Sequence, residues 1–455
     1  MKAWEYELKM RKKALPEPEW KIDWTDTENF QIFPNDLVSI MWNSRVPGSG
    51  APESLMVGAV QSVENMGRDV SRAEKLLEDG MNALKDGDYG SLKVITCDIF
   101  NELSKAPKIE DHPYHSYERP LEWDDVSKNF PDLEMKIDEK KLKDKVKGGW
   151  YGQISGASVG TKLEGYMHDG IVEVYGTRLD DLLSDVSTFN DDVTYEIAFI
   201  QAFKRRKLSI TSKDVAKEWI RYINFGWSAE YVALENLKRG IFPPESGRRN
   251  NPFEEWIGAQ MRCMVHGLIA PGKPKQSARL AFLDSVISHS GNGVYGGIHS
   301  AVLTSMAFVI DDVRELVERS IEFIPTGSEF EAVVSQLVGW LKENENWEDV
   351  LRLVEKRFEK YNWIHLYPNT CAVLTALWYG KGDFDRSMEI VLLFGYDVDC
   401  NAGEVGTILG VMNGYSGIPK KWIEPLGGEL RTYLRDFRVI DLERFTDEFS
   451  KIMLV

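Results

Sequence analysis

From Glu139 onward the apolar residues recur at helical spacing, and no convincing alternation of β-branched and polar residues marks a strand. Within Lys145 to Gly160, the residues Gly148, Gly152, Gly156 and Gly160 fall at strict i+4 spacing. Glycine costs a helix interior about 1 kcal/mol relative to alanine, so a stripe of four calls for a second backbone at close range. Ala402, Gly406 and Gly410 make another small-residue stripe, a smooth face that a neighbouring helix can approach. Val193, Ile197 and Ile200 line the inner face of a helix that opens at Asp191-Asp192, and Cys371 to Trp378 reads as an apolar helix. Asp385 to Leu393 is a short apolar helix that Gly395 is expected to stop in a left-handed conformation. Residues 423–455 are expected to form one or two terminal helices.

The first 138 residues have a different texture. Trp4, Trp20, Trp24, Trp42 and Trp123 are interspersed with prolines and acids, and the patterns of Val70 to Gly80 and Tyr89 to Ile95 predict helices. The stretch from Ala106 to Asp132, rich in Pro, His, Tyr and Asp, reads as a linking loop lying on the main body. His112 and His115 in it are either metal ligands or solvated loop residues, the latter preferred because no cysteine neighbours them. The chain thus divides into an N-terminal, mostly helical and loop-rich extension (1–138) and an all-α main domain (139–455). A second long loop, Ile241 to Pro252, carries Arg248 and Arg249, which either meet a phosphate or carboxylate or stay solvated.

Composition narrows the function classes. The chain has 455 residues, 43% hydrophobic and 28% charged, as in an ordinary soluble domain, with a net charge of −17. Nucleic acids and anionic membranes both require basic surface, so neither is an expected partner. An anionic small molecule would need a local remedy, a metal or a few arginines. Cys97, Cys263, Cys371 and Cys400 are far apart and form no CxxC pair, which fits a reduced setting. The opening Met1 to Glu7 has no apolar run of signal-peptide length, and a cytoplasmic location is expected.

The chemistry concentrates in Gly395-Tyr396-Asp397-Val398-Asp399-Cys400-Asn401, two carboxylates two residues apart between helices. Carboxylates held together repel unless one is protonated or a cation lies between them, and a divalent metal satisfies both. Asn190-Asp191-Asp192 is either a plain helix cap or a partner in that site. Glu164, at the end of the glycine-striped helix, meets an unfavourable dipole and is either a surface residue or faces a cation. Ser288-His289 followed by Gly291, Gly293, Gly296 and Gly297 around Tyr295 describes a backbone that must come near something.

Taken together these stretches resemble the ADP-ribosylglycohydrolase family. Gly152-x3-Gly156-x3-Gly160-x3-Glu164-Gly165 is similar to its glycine-rich first helix, and Asn190-Asp191-Asp192-Val193 stands where the family has Thr-Asp-Asp-Thr. Ser288-His289 takes the place of its Thr-His or Ser-His, Asp397-Val398-Asp399-Cys400 that of Asp-Thr-Asp-Thr, and Ile418-Pro419-x2-Trp422 matches its tail. The resemblance implies an orthogonal multi-helix bundle with a pair of magnesium ions, manganese being an alternative, held by Asn190, Asp191, Asp192, Asp397 and Asp399. Glu164, Asp191 and Asp192 are then the expected catalytic residues, and His289, Gly293, Tyr295, Gly296, Asn369 and Asn401 the expected substrate contacts. The implied activity is hydrolysis of an N- or O-glycosidic bond to ribose, in an ADP-ribosyl adduct or a small riboside. The rival is a silent binding protein of the same fold, for Cys400 replaces a family Thr and Ala157 stands where many members carry Asp.

Overall fold

The computed structural model describes the chain apart from residues 22–33, 178, 180–181, 184–188, 190 and 455, and apart from the side chains of 34–36. It is built almost wholly of helices. Strands among the described residues are limited to three two-stranded antiparallel pieces.

The two small-residue stripes meet each other. Helix Glu139–Gly160 and helix Val398–Asn413 run antiparallel. A Cβ at Gly148, Gly152 or Gly156 would drive into the carbonyl oxygens of Gly410, Gly406 and Ala402, respectively. One at Gly160 would lie 2.6 Å from Asp399 Cα. Backbone therefore packs on backbone along the whole seam, the compensation that the glycines' helix cost required. Helices Asn292–Met306 and Leu366–Gly380 complete the centre and are buried on nearly every face. At the far end, Phe445 and Phe449 of helix Leu442–Ser450 close edge-on over Trp150, with ring centroids 4.8 and 5.2 Å away.

Two elements differ from the sequence expectation. A hairpin, Glu429–Arg431 with Val439–Asp441, precedes the single terminal helix Leu442–Ser450. In the extension, the helix expected to end at Gly80 runs from Ser71 to Asp86 and ends at Gly87, φ 71°. Gly80 lies mid-helix because the indole of Trp42 presses onto its face, with Nε1 donating to Thr96 Oγ1 at 2.7 Å in helix Tyr89–Ser104.

The extension is fastened to the main body. Arg11, in helix Ala3–Lys13, is buried, pairs with Glu7 at 2.8 Å and donates from Nη1 to Gly165 O at 2.6 Å. Helix Leu55–Asn65 lays its Gly58 on the Trp256 ring, and Trp256 Nε1 donates to Ser62 Oγ at 2.5 Å. No helix among the described residues is long and apolar enough to cross a membrane.

Candidate metal centre

The seam ends in acids. Helix Phe384–Phe394 stops at Gly395, whose φ of 87° is positive as expected but whose ψ of −160° is extended rather than helical. The chain therefore turns directly into the strand Gly395–Tyr396, which pairs with Tyr166–Met167; Gly165 N donates to Tyr396 O at 2.8 Å. Tyr396 itself has φ 69°, a strained conformation for an aromatic residue immediately before Asp397. This short ladder sets Glu164, one residue before Gly165, beside Asp397.

Asp397 is the N-cap of helix Val398–Asn413 and Asp399 lies in its first turn, while Asp191 and Asp192 open helix Asp191–Arg206. The two helix starts touch, since Cys400 Sγ lies 3.5 Å from Asp192 Oδ1. Asp397, Asp399 and Cys400 each offer a ligand atom, all within 4.8 Å of one another. Asp192, Asp397 and Asp399 are buried, and Glu164 is 9% exposed.

Burial is the first cause that raises every one of these carboxyls, and neighbouring carboxylates are the next. The charges acting on Glu164, well above its ordinary value, are Asp399, Asp397, Asp191 and Glu53. Asp192 is likewise raised by burial and then by Asp191, Asp399, Asp397 and Glu196. Burial and Asp399 push Asp191 up to about 7, opposed by its own N–H and that of Asp192 at the helix start. Burial pushes Asp397 up to about 6, Asp191 and Glu53 adding to it against hydrogen bonding from Asp399 and Cys400. Asp399 is well above normal from burial and Asp397. Glu164 Oε2 and Asp397 Oδ1 are buried with no hydrogen-bond partner among the described residues. Clustered hard oxygen donors, two of them unsatisfied, fit a divalent cation that prefers oxygen. Cys400 is a soft donor among them.

The remaining sequence-derived residues fall into four groups. Asn190 lies outside the described residues. Asn369 and Asn401 sit beneath the centre: Asn369 Oδ1 accepts from Asp397 N at 3.0 Å and from Asn401 Nδ2 at 2.8 Å. Asn369 Nδ2 in turn donates to Trp363 O at 2.8 Å and His365 O at 2.9 Å, fixing the loop from behind. His289 is fully buried in a polar chain in which Glu230 pairs with Arg262 (2.7 Å), Arg262 donates to Ser288 Oγ (2.9 Å) and Ser288 Oγ meets His289 Nδ1 at 2.7 Å. Burial, then Arg262, pushes His289 well down, so the imidazole is neutral. The polar chain reaches the carboxylate cluster through Glu230, whose charge bears on Asp191. Gly293 packs on Glu254 O and Gly296 on Leu366, and Tyr295 donates to Pro120 O at 2.5 Å.

Glu53, from the extension, carries no sequence signal beyond the Gly48-Ser49-Gly50 turn before it. It is buried, its Oε2 accepts from Trp227 Nε1 at 2.8 Å, and burial pushes it up to about 7 despite Arg11. Gly48 lets this turn lie on Thr161, three residues from Glu164. A second buried cluster, Cys263, His266 and Asp284, was also not anticipated; Asp284 there faces Arg262 Nε at 3.5 Å and His266 Nε2 at 3.3 Å.

Residues 138–451, well over half of the chain, match the ADP-ribosylglycohydrolase family, and the chain belongs to it. That family is one of glycohydrolases, generally metal-dependent and acting on ADP-ribosylated substrates. A solved structure described as an ADP-ribosylglycohydrolase-related protein complex is similar over 69% of this chain and 100% of its own, with 18% identity and a TM-score of 0.48. No curated protein matches the sequence.

Proposed function

We propose that this chain is a magnesium-dependent hydrolase that cleaves an N- or O-glycosidic bond to ribose, in an ADP-ribosyl adduct or a small riboside. The observation that carries the reading is the convergence of Glu164, Asp191, Asp192, Asp397 and Asp399, from three separate elements, into one buried cluster whose charges raise one another. Asp191, Asp192, Asp397 and Asp399, with Asn190, would hold a metal pair. When bound, such a pair grips a ribose diol and lowers the cost of the oxocarbenium-like transition state.

The chain's own residues supply the rest. Once a metal pair offsets the burial and the neighbouring charges that hold it protonated, Glu164 would be ionised and take the proton of the attacking water at Oε2, its buried and unpartnered oxygen. Asn369 holds the Asp397 backbone so that the carboxylate keeps its direction. His289, neutral and hydrogen-bonded to Ser288, would act on substrate from within the buried chain that links it to Arg262 and Glu230.

Cys400 favours a second reading, a silent protein that binds a nucleotide or sugar, because its thiol stands among the oxygen donors and 3.5 Å from Asp192. Turnover separates the two. Incubation with magnesium, or with manganese in its place, and a panel of ADP-ribosylated peptides, nucleosides and alkyl ribosides should release ADP-ribose or ribose. Binding without release from any member would leave the silent reading standing, and a melting temperature indifferent to both metals would remove the metal centre from either.

A further inference from the structure

A cavity of about 380 Å³ lies where the extension meets the main body, and no residue of the metal centre lines it. Its walls come from the end of helix Leu55–Asn65, helix Tyr89–Ser104, the linking loop and the long loop that carries Arg248. Arg68, Lys108, Arg119 and Arg248 all line it, against one lining carboxylate, Glu254. In a chain of net charge −17 this lining is basic, though Glu255 also lies 3.4 Å from Arg119 Nη2 and Glu110 3.5 Å from Lys108 Nζ.

The cations are held in place before any ligand arrives. Arg119 Nη2 donates to Glu254 Oε1 at 2.6 Å and its guanidinium lies 5.7 Å from the centre of the Tyr114 ring. Arg68 Nη1 donates to Ala106 O at 2.9 Å, and Arg248 Nη2 to Leu121 O at 3.4 Å. Arg119 Nε and Arg248 Nε are buried with no hydrogen-bond partner among the described residues, Arg119 Nε lying against Gly291. A buried guanidinium N–H without an acceptor is costly unless something else supplies one. Val63, Met66, Phe100 and Leu103 give the same cavity an apolar part of its lining.

We propose that this cavity is a second ligand site, which binds a small phosphate monoester bearing an apolar or aromatic body. A phosphate monoester carries about −1.5 to −2 charges at neutral pH and three acceptor oxygens, which matches paired guanidinium forks better than a single carboxylate does. The volume falls in the range of small-molecule sites. The inference does not depend on the reaction at the metal centre.

Calorimetric titration of the full chain with adenosine monophosphate, inorganic phosphate and adenosine tests it. Adenosine monophosphate should bind most tightly, with Arg248→Ala weakening it about tenfold or more. Lys108→Ala, which removes a half-exposed side chain and leaves its backbone bridge to Arg68 in place, should weaken it about threefold. Asp399→Asn should leave the affinity unchanged. No binding of adenosine monophosphate, or equal binding of adenosine, would overturn the proposal. Inorganic phosphate binding as tightly as the nucleotide would remove the apolar half of it. Affinity lost in Asp399→Asn but kept in Arg248→Ala and Lys108→Ala would place the nucleotide at the metal centre instead.

Discussion

The seam between helices Glu139–Gly160 and Val398–Asn413 ends at the carboxylate cluster, and the two regions treat energetic cost in opposite ways. Along the seam, Gly148, Gly152 and Gly156 weaken their helix and recover the loss locally, through contact with Gly410, Gly406 and Ala402. At its end, Asp397 and Asp399 join Glu164, Asp191 and Asp192 in a largely buried cluster whose carboxyls are all raised, and the charges acting on them most strongly are those of other carboxylates. A cost met inside the chain belongs to stability. A cost left open at a buried site is one that a bound cation would offset.

That contrast can be broken by substitutions that should act in opposite directions. Asp399→Asn should lower glycohydrolase activity by about a hundredfold or more and erase the magnesium-dependent rise in melting temperature. It should also make the metal-free protein more stable, by relieving repulsion, which thermal denaturation in chelator would read. Gly152→Val should do the reverse: stability falls by about 3 kcal/mol or more with metal and without it, measured by chemical denaturation. Equal destabilisation by both would mean that the acids, too, are satisfied internally. Asn369→Ala should cost about ten- to a hundredfold in metal affinity, seen by calorimetry, with a smaller loss of stability.

Proton linkage gives a weaker version of the same distinction. Asp191 is pushed up to about 7 and Asp397 to about 6, from ordinary values of 3.8, so the folded, metal-free protein holds more protons than the unfolded chain between these limits. Its stability should therefore fall as pH rises from about 4 to 7, and magnesium should stabilise more at pH 7.5 than at pH 5. Melting curves at the two pH values check this. The smallest effect is expected from Cys400→Thr, which replaces a soft donor by a hard one and should tighten magnesium about two- to threefold with unchanged melting in chelator.

Local spacing explains what was legible from sequence. The seam was, because both stripes keep i+4 order and each announces a close neighbour; the acids were, because Asp397-x-Asp399 and Asp191-Asp192 are adjacent in the chain. Gly80 was misread as a helix end because the reason for it, Trp42, lies 38 positions away. Glu53 left no trace, since only folding sets it against Glu164 and Asp397. The terminal hairpin was missed because its strands are three residues long, too short for alternation to register.

The hydrogen bond from Arg11 to Gly165 O bears on how this chain can be divided. A fragment beginning near residue 138 would keep every described acid of the centre and still match its family along its length. It would leave the carbonyl beside Glu164 without its donor and uncover the surface that Gly48 and Glu53 occupy. The first helix is thus tied to the residue beside Glu164, across 154 positions of sequence.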